Sequence, residues 1–182
     1  MPVTERTFHQ VALEDSDRQR ELHHGVLREK PSMSFRHNDL MMELGFQLRM
    51  QLDPSRYRIR INVGRVSRWT ETYYIPDVFV IPVSVLEPDR DRPDILEIYD
   101  RPLPIVVEIR SLSTGEYDVN TKLPEYRLRG YQEVWRIQPF ERVLHVWRRQ
   151  PDGTYQKDEC RGGDVVVESL PDVMIDLETL FV

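Results

Sequence analysis

PIVVEIRSLSTGEYDVNTKLPEY, residues 104–126, decides how this chain is read. Ile105, Val106, Val107 and Ile109 form an apolar, β-branched run suited to the middle of a sheet. Glu108 interrupts it. Side chains two apart on a strand share a face, so Glu108 and Arg110 point one way while Val107 and Ile109 point the other. A carboxylate in such a strand needs a partner, because an isolated buried charge is strongly disfavoured. Asp118 and Lys122 follow at the spacing of one helical turn, and Gly130 suits a helix C-terminus. Pro124 constrains that helix, since an interior proline loses a hydrogen bond and costs roughly 3 kcal/mol. A helix beginning with Thr121 as its N-cap would put Pro124 in the first turn, where no intrahelical partner is needed.

Working outward, YYIPDVFVIP (73–82) reads as a second β run, with Pro76 marking an irregularity or an edge. Tyr57, Ile59 and Ile61 alternate with Arg56, Arg58 and Arg60, the period of a strand with one wet face. Further strands are expected near 133–138, 142–149 and 154–159, the first two joined through Pro139-Phe140 as a hairpin. His24-Gly25 reads as the turn of an earlier hairpin. Ser34 is positioned to cap a helix reaching about Leu52, with Leu40, Leu44, Gln47 and Leu48 at helical spacing and Met41 and Phe46 widening its apolar face. Residues 86–103 are rich in Pro and Asp and read as a loop. Strands and helices are mixed, with hairpins on both sides of a central unit, so the fold class is α/β of the mixed α+β kind.

The chain has 182 residues, 40% hydrophobic and 31% charged, which suits one soluble domain over residues 1–182 with 1–15 loosely held. There is no apolar run of membrane-spanning length and no signal-peptide core at the start. The single Cys160 has no disulfide partner. A cytoplasmic protein without membrane contact is expected. A net charge of −6 argues against coating nucleic acid by charge alone, though not against a local basic groove. Only Lys30, Lys122 and Lys157 are lysines among 25 basic residues, so each one is informative. No phosphate-cradling glycine motif and no nucleophile elbow is present.

Two carboxylates converging on one point can hold Mg²⁺ or Mn²⁺, hard cations that favour oxygen ligands. Such an ion polarises a phosphodiester and acidifies a bound water, and a neighbouring lysine offsets developing charge. Asp77, Glu108 and Lys122 are the residues that could do this. Each also has a plain reading: Asp77 as a turn former, Glu108 and Arg110 as an ion pair on a solvated face, Asp118 and Lys122 as an ordinary i,i+4 pair.

The order of residues favours the first reading. Pro76-Asp77, then Glu108, Ser111, Ser113-Thr114, Asp118, Lys122, Tyr126, Gly130, Glu133 and Trp135, with Glu21-Leu22 and Gly25 upstream, resembles the Uma-two family. These are restriction-endonuclease-like proteins of the PD-(D/E)XK superfamily. The resemblance spans about residues 20–182 and departs at Leu112, where the family usually has proline. It implies a restriction-endonuclease-like core, a mixed central sheet flanked by helices with extra hairpins. It implies Asp77 and Glu108 as metal ligands, and Lys122 as the catalytic lysine moved onto the following helix. Glu21, His37, Arg110 and Asp118 would be accessory. Arg110 occupies the strand position where the wider superfamily keeps its lysine, yet arginine does not exchange a proton at neutral pH. The activity implied is Mg²⁺-dependent cleavage of DNA by a homodimer or higher homo-oligomer. The rival is a binding or regulatory module that keeps the nuclease fold without cutting.

Overall fold

The computed structural model of the protein describes residues 2–15, 17–69, 71–86, 91–92, 94–111 and 115–182, without the side chains of residues 68, 69, 115 and 118. The chain opens with helix α1 (Glu5–Glu14) and a hairpin of β1 (Arg20–His23) and β2 (Val26–Glu29). Helix α2 (Phe35–Gln51) follows, then β3 (Tyr57–Ile61), β4 (Arg65–Trp69), β5 (Thr72–Tyr74) and β6 (Val78–Pro82). Helix α3 (Val83–Leu86) and β7 (Ile98–Tyr99) lead to β8 (Ile105–Ile109). Helix α4 (Gly115–Tyr117), a π turn (Asp118–Lys122) and α5 (Leu123–Leu128) run on without a break. The last part comprises β9 (Glu133–Gln138), β10 (Val143–Arg149), β11 (Tyr155–Cys160), β12 (Asp164–Val166), β13 (Met174–Asp176) and α6 (Leu177–Leu180).

Six strands in the order β11-β10-β9-β8-β6-β3 make the larger sheet, and five in the order β2-β1-β5-β4-β7 make the second. The larger sheet is antiparallel except for β8 and β9. A parallel pair needs a crossover, and the helical stretch 115–128 supplies it. This is the mixed central sheet flanked by helices that the sequence implies, with the hairpins beside it.

The central strands of the larger sheet are buried on both faces. One face carries Val78, Val80, Ile105, Val107 and Ile109, which pack with Leu40, Leu44 and Leu48 of α2 and with Leu177 and Phe181 near the C-terminus. Burying each such side chain contributes about 1.5–3 kcal/mol. The opposite face carries Phe79, Ile81, Val106 and Val134, which meet Val66 and Tyr74 of the second sheet and Tyr126 of α5. Ser34 caps α2 as its position predicts, accepting the His37 N–H. Gly45 lets α2 approach β3 closely, because a Cβ there would lie 2.4 Å from Ile61 Cδ1. The hairpin turn at His24 and Gly25 has φ of 47° and 74°, the left-handed pair of a two-residue turn.

Several local expectations change. Phe46 is not part of the apolar face of α2; it is 59% exposed. Arg60 does not lie free on a wet strand face but pairs with Glu97 at 2.5 Å. The helix does not begin at Thr121. It runs from Gly115, and the π turn ends just before Leu123, so Pro124 stands at the start of a new α segment. A π turn shifts the hydrogen-bond register, and Pro124 falls where a missing N–H is tolerated. The polar N-terminal segment forms α1, whose Phe8 is fully buried and stacks on Tyr73 at 4.9 Å. Among the described residues no helix is long and apolar enough to cross a membrane.

Candidate active site

Pro76 creates the site by breaking a strand. β5 belongs to the second sheet and β6 to the larger one, so Ile75-Pro76-Asp77 is where the chain passes between sheets. Ladder hydrogen bonds lapse there, and buried backbone groups must find other partners. The Ile75 N–H donates to Glu21 Oε1 at 2.8 Å, and the Ile75 carbonyl accepts from Lys30 Nζ at 2.8 Å. Side chains from the first hairpin are thereby drawn to the crossing.

Asp77 directly precedes β6. The β6–β8 register pairs Val78 with Val107, and carried back one residue it sets Asp77 opposite Glu108. Asp77 is fully enclosed. Its Oδ1 accepts from Lys30 Nζ at 2.8 Å and its Oδ2 accepts the Ile109 N–H at 2.7 Å. His37 Nε2 lies 3.0 Å from Oδ2. Burial by itself would raise the pKa of Asp77. The Lys30 ammonium and His37 outweigh it and hold the carboxyl well below the usual range.

Glu108 meets the helical stretch that follows β8. Its Oε1 accepts from Tyr126 Oη at 2.5 Å, and Lys122 Nζ lies 3.3 Å away. Lys122 is also 2.8 Å from Glu21 Oε1, so one ammonium bridges two carboxylates. Burial, followed by the charges of Glu108 and Glu21, pushes the Tyr126 phenol well above its ordinary value, so it stays a donor. Glu21, Lys30, His37, Asp77, Glu108 and Lys122 all border one cavity of about 140 Å³. Arg28 stands at its mouth, its guanidinium 4.6 Å from the centre of the Tyr117 ring.

The structure therefore brings together Asp77, Glu108, Lys122, Glu21 and His37. Arg110 lies elsewhere: β8 ends at Ile109, alternation lapses, and Arg110 pairs with exposed Glu141 at 2.5 Å. Asp118 lies in the π turn and its side chain is outside the description, as are Ser113 and Thr114. Two residues were missed as site members. Lys30 carried a signal in the scarcity of lysine. Tyr126 reads as a core aromatic by sequence and is one, except for its hydroxyl.

The donor set suits a hard divalent cation. Asp77, just before β6, and Glu108, on the neighbouring β8, offer carboxylate oxygens, and Glu21 adds a third carboxylate at the same cavity. His37 Nδ1 is buried without a hydrogen-bond partner among the described residues. Those residues contain no ready-made cluster of three His, Cys, Asp or Glu ligands, and Lys30 and Lys122 hold the carboxylates instead.

No curated protein matches the chain. Among solved structures it is similar to the crystal structure of a putative nuclease belonging to DUF820 from Anabaena variabilis, with a TM-score of 0.78 and 21% identity. That match covers 99% of this chain and 98% of the other, and at such identity it shows a shared fold. The family model described as "Uma2: Putative restriction endonuclease" matches residues 6–178. With nearly its whole length matched, this chain belongs to the Uma2 family.

Proposed function

We infer that the protein is a metal-dependent endonuclease that hydrolyses DNA phosphodiester bonds. The observation carrying this reading is the opposition of Asp77 and Glu108 at one cavity, with the Lys122 ammonium 3.3 Å from Glu108. Asp77 and Glu108 would hold Mg²⁺ or Mn²⁺. When bound, such an ion supplies Lewis acidity toward a phosphodiester and acidifies water. Lys122, fixed by Glu21, presents positive charge where negative charge develops on phosphorus. Tyr126 keeps the Glu108 carboxylate oriented through its hydroxyl. Arg28 at the mouth offers a guanidinium to a backbone phosphate. Cutting both strands needs two such sites, which a homodimer supplies.

A plasmid-cleavage assay with Mg²⁺ or Mn²⁺ tests this. Cleavage should vanish with chelator and fall at least ~100-fold in Asp77→Asn and Glu108→Gln. Metal-independent cleavage, or variants that cut as well as the parent, would defeat the reading. A second reading, a non-cleaving binding module on the nuclease fold, is favoured by one observation: both oxygens of Asp77 are already engaged, by Lys30 and the Ile109 N–H. A protein of that kind gains no thermal stability from Mn²⁺.

A further inference from the structure

Lys30 has a role that catalysis by Asp77, Glu108 and Lys122 leaves open. Its side chain is 8% exposed, and its ammonium is held at 2.8 Å by both Asp77 Oδ1 and the Ile75 carbonyl. An ammonium and a divalent cation repel one another, and a carboxylate oxygen engaged by one is poorly placed to bind the other. The geometry points to Lys30 as the internal counter-cation of Asp77, which keeps the metal-free site closed and leaves Asp77 when a divalent cation arrives. This rests on the metal-dependent reading above.

The surroundings of Lys30 permit such a movement. Its backbone is anchored where its N–H donates to the Gln19 carbonyl at 2.8 Å, so only the flexible stem needs to swing. Pro31 and Ser32 follow, exposed and without regular structure. Lys30, Pro31, Ser32 and Met33 border two hollows: the active-site cavity and an outer one of about 480 Å³. The outer hollow includes Asp17 and Glu29, whose carboxylates can receive the ammonium. Lys122 differs on each point. It sits on a helix, bridges Glu21 and Glu108, and borders the inner cavity but not the outer one. The two buried lysines should therefore respond differently to metal.

The chain's three lysines make this measurable on the unaltered protein. Amine acylation read by mass spectrometry reports Lys30, Lys122 and Lys157 separately. Without metal, Lys30 and Lys122 should react slowly. At Mn²⁺ concentrations that calorimetry shows to be saturating, the Lys30 rate should rise at least ten-fold while Lys122 stays protected. Lys30→Met, which removes the competing charge, should bind Mn²⁺ at least ten-fold more tightly than the parent. If Mn²⁺ binds and Asp77→Asn abolishes binding, yet Lys30 stays protected or rises together with Lys122, this inference falls and the metal site stands. Mn²⁺ affinity unchanged or weakened in Lys30→Met has the same meaning. If calorimetry finds no binding to either protein, the metal reading fails and takes the inference with it.

Discussion

Glu108 and Glu133 lie at opposite ends of the parallel pair β8 and β9, 6% and 1% exposed. Both belong to the residue pattern shared with the family, and both are acids within apolar strands. Their partners separate them. Glu133 accepts from Trp135 Nε1 at 2.8 Å and from the Ser169 N–H at 2.7 Å, with the Arg148 guanidinium 3.8 Å away. Two of these donors are fixed N–H groups, so Glu133 stitches the segment after β12 onto the sheet. Glu108 meets a phenol and an ammonium at the wall of a cavity. Burial alone does not mark a carboxylate as a candidate for chemistry; an ammonium partner at a cavity wall does.

The largest test of this contrast is Glu133→Ala. Removing the acceptor leaves two buried donors unsatisfied, and each unsatisfied group costs about 1–3 kcal/mol. Urea unfolding should show a loss of about 2–4 kcal/mol, while the folded protein still binds Mn²⁺. Glu108→Gln should reverse the pattern, with a small stability change and Mn²⁺ affinity down at least ~10-fold. A folded Glu133→Ala protein that has lost metal binding would break the distinction.

Acid titration sharpens it with an intermediate effect. Burial raises the Glu133 carboxyl above 4.5 against the opposing Ser169, Trp135 and Arg148 contacts. A raised acid favours folding below its unfolded value and loses that advantage as pH rises through its folded value. Asp77 has the opposite sign: its depressed carboxyl favours folding above 3.8 and loses that as pH falls. In urea midpoints measured from about pH 3 to pH 7, the deficit of Glu133→Gln should be greatest near the acid end. That of Asp77→Asn should be greatest near neutrality. Deficits that run in parallel would erase the contrast.

The smallest effect belongs to Arg110→Ala. Arg110 and Glu141 are 39% and 44% exposed, and such pairs contribute under about 1 kcal/mol. Stability should move by less than about 0.5 kcal/mol, with no change in Mn²⁺ titration. A clear loss of binding would return Arg110 to the site.

Elements with a strong period were legible. β8, β9 and β10 follow their apolar runs, and α2 starts at its serine cap. The grouping of Asp77, Glu108, Lys122, Glu21 and His37 at one cavity follows from residue order once the family pattern is seen. Arg110 was misplaced because alternation was extended one residue past the end of β8. Lys30 escaped because its position depends on a crossing between two sheets, which no local pattern encodes. The helix start was misjudged because the rule for proline assumes α geometry, and a π turn offers another solution.

That wide turn reaches beyond Pro124. Tyr117 and Tyr126 are nine residues apart, which on an uninterrupted α-helix sets them about 180° apart, on opposite sides. One surplus residue in the winding takes back about 100° of that rotation and brings both rings round to the same quarter. Tyr117 can then border the cavity beneath Arg28 while Tyr126 reaches Glu108. A single residue's worth of slack in the coil turns what would be two unrelated tyrosines into neighbours of one carboxylate-lined chamber.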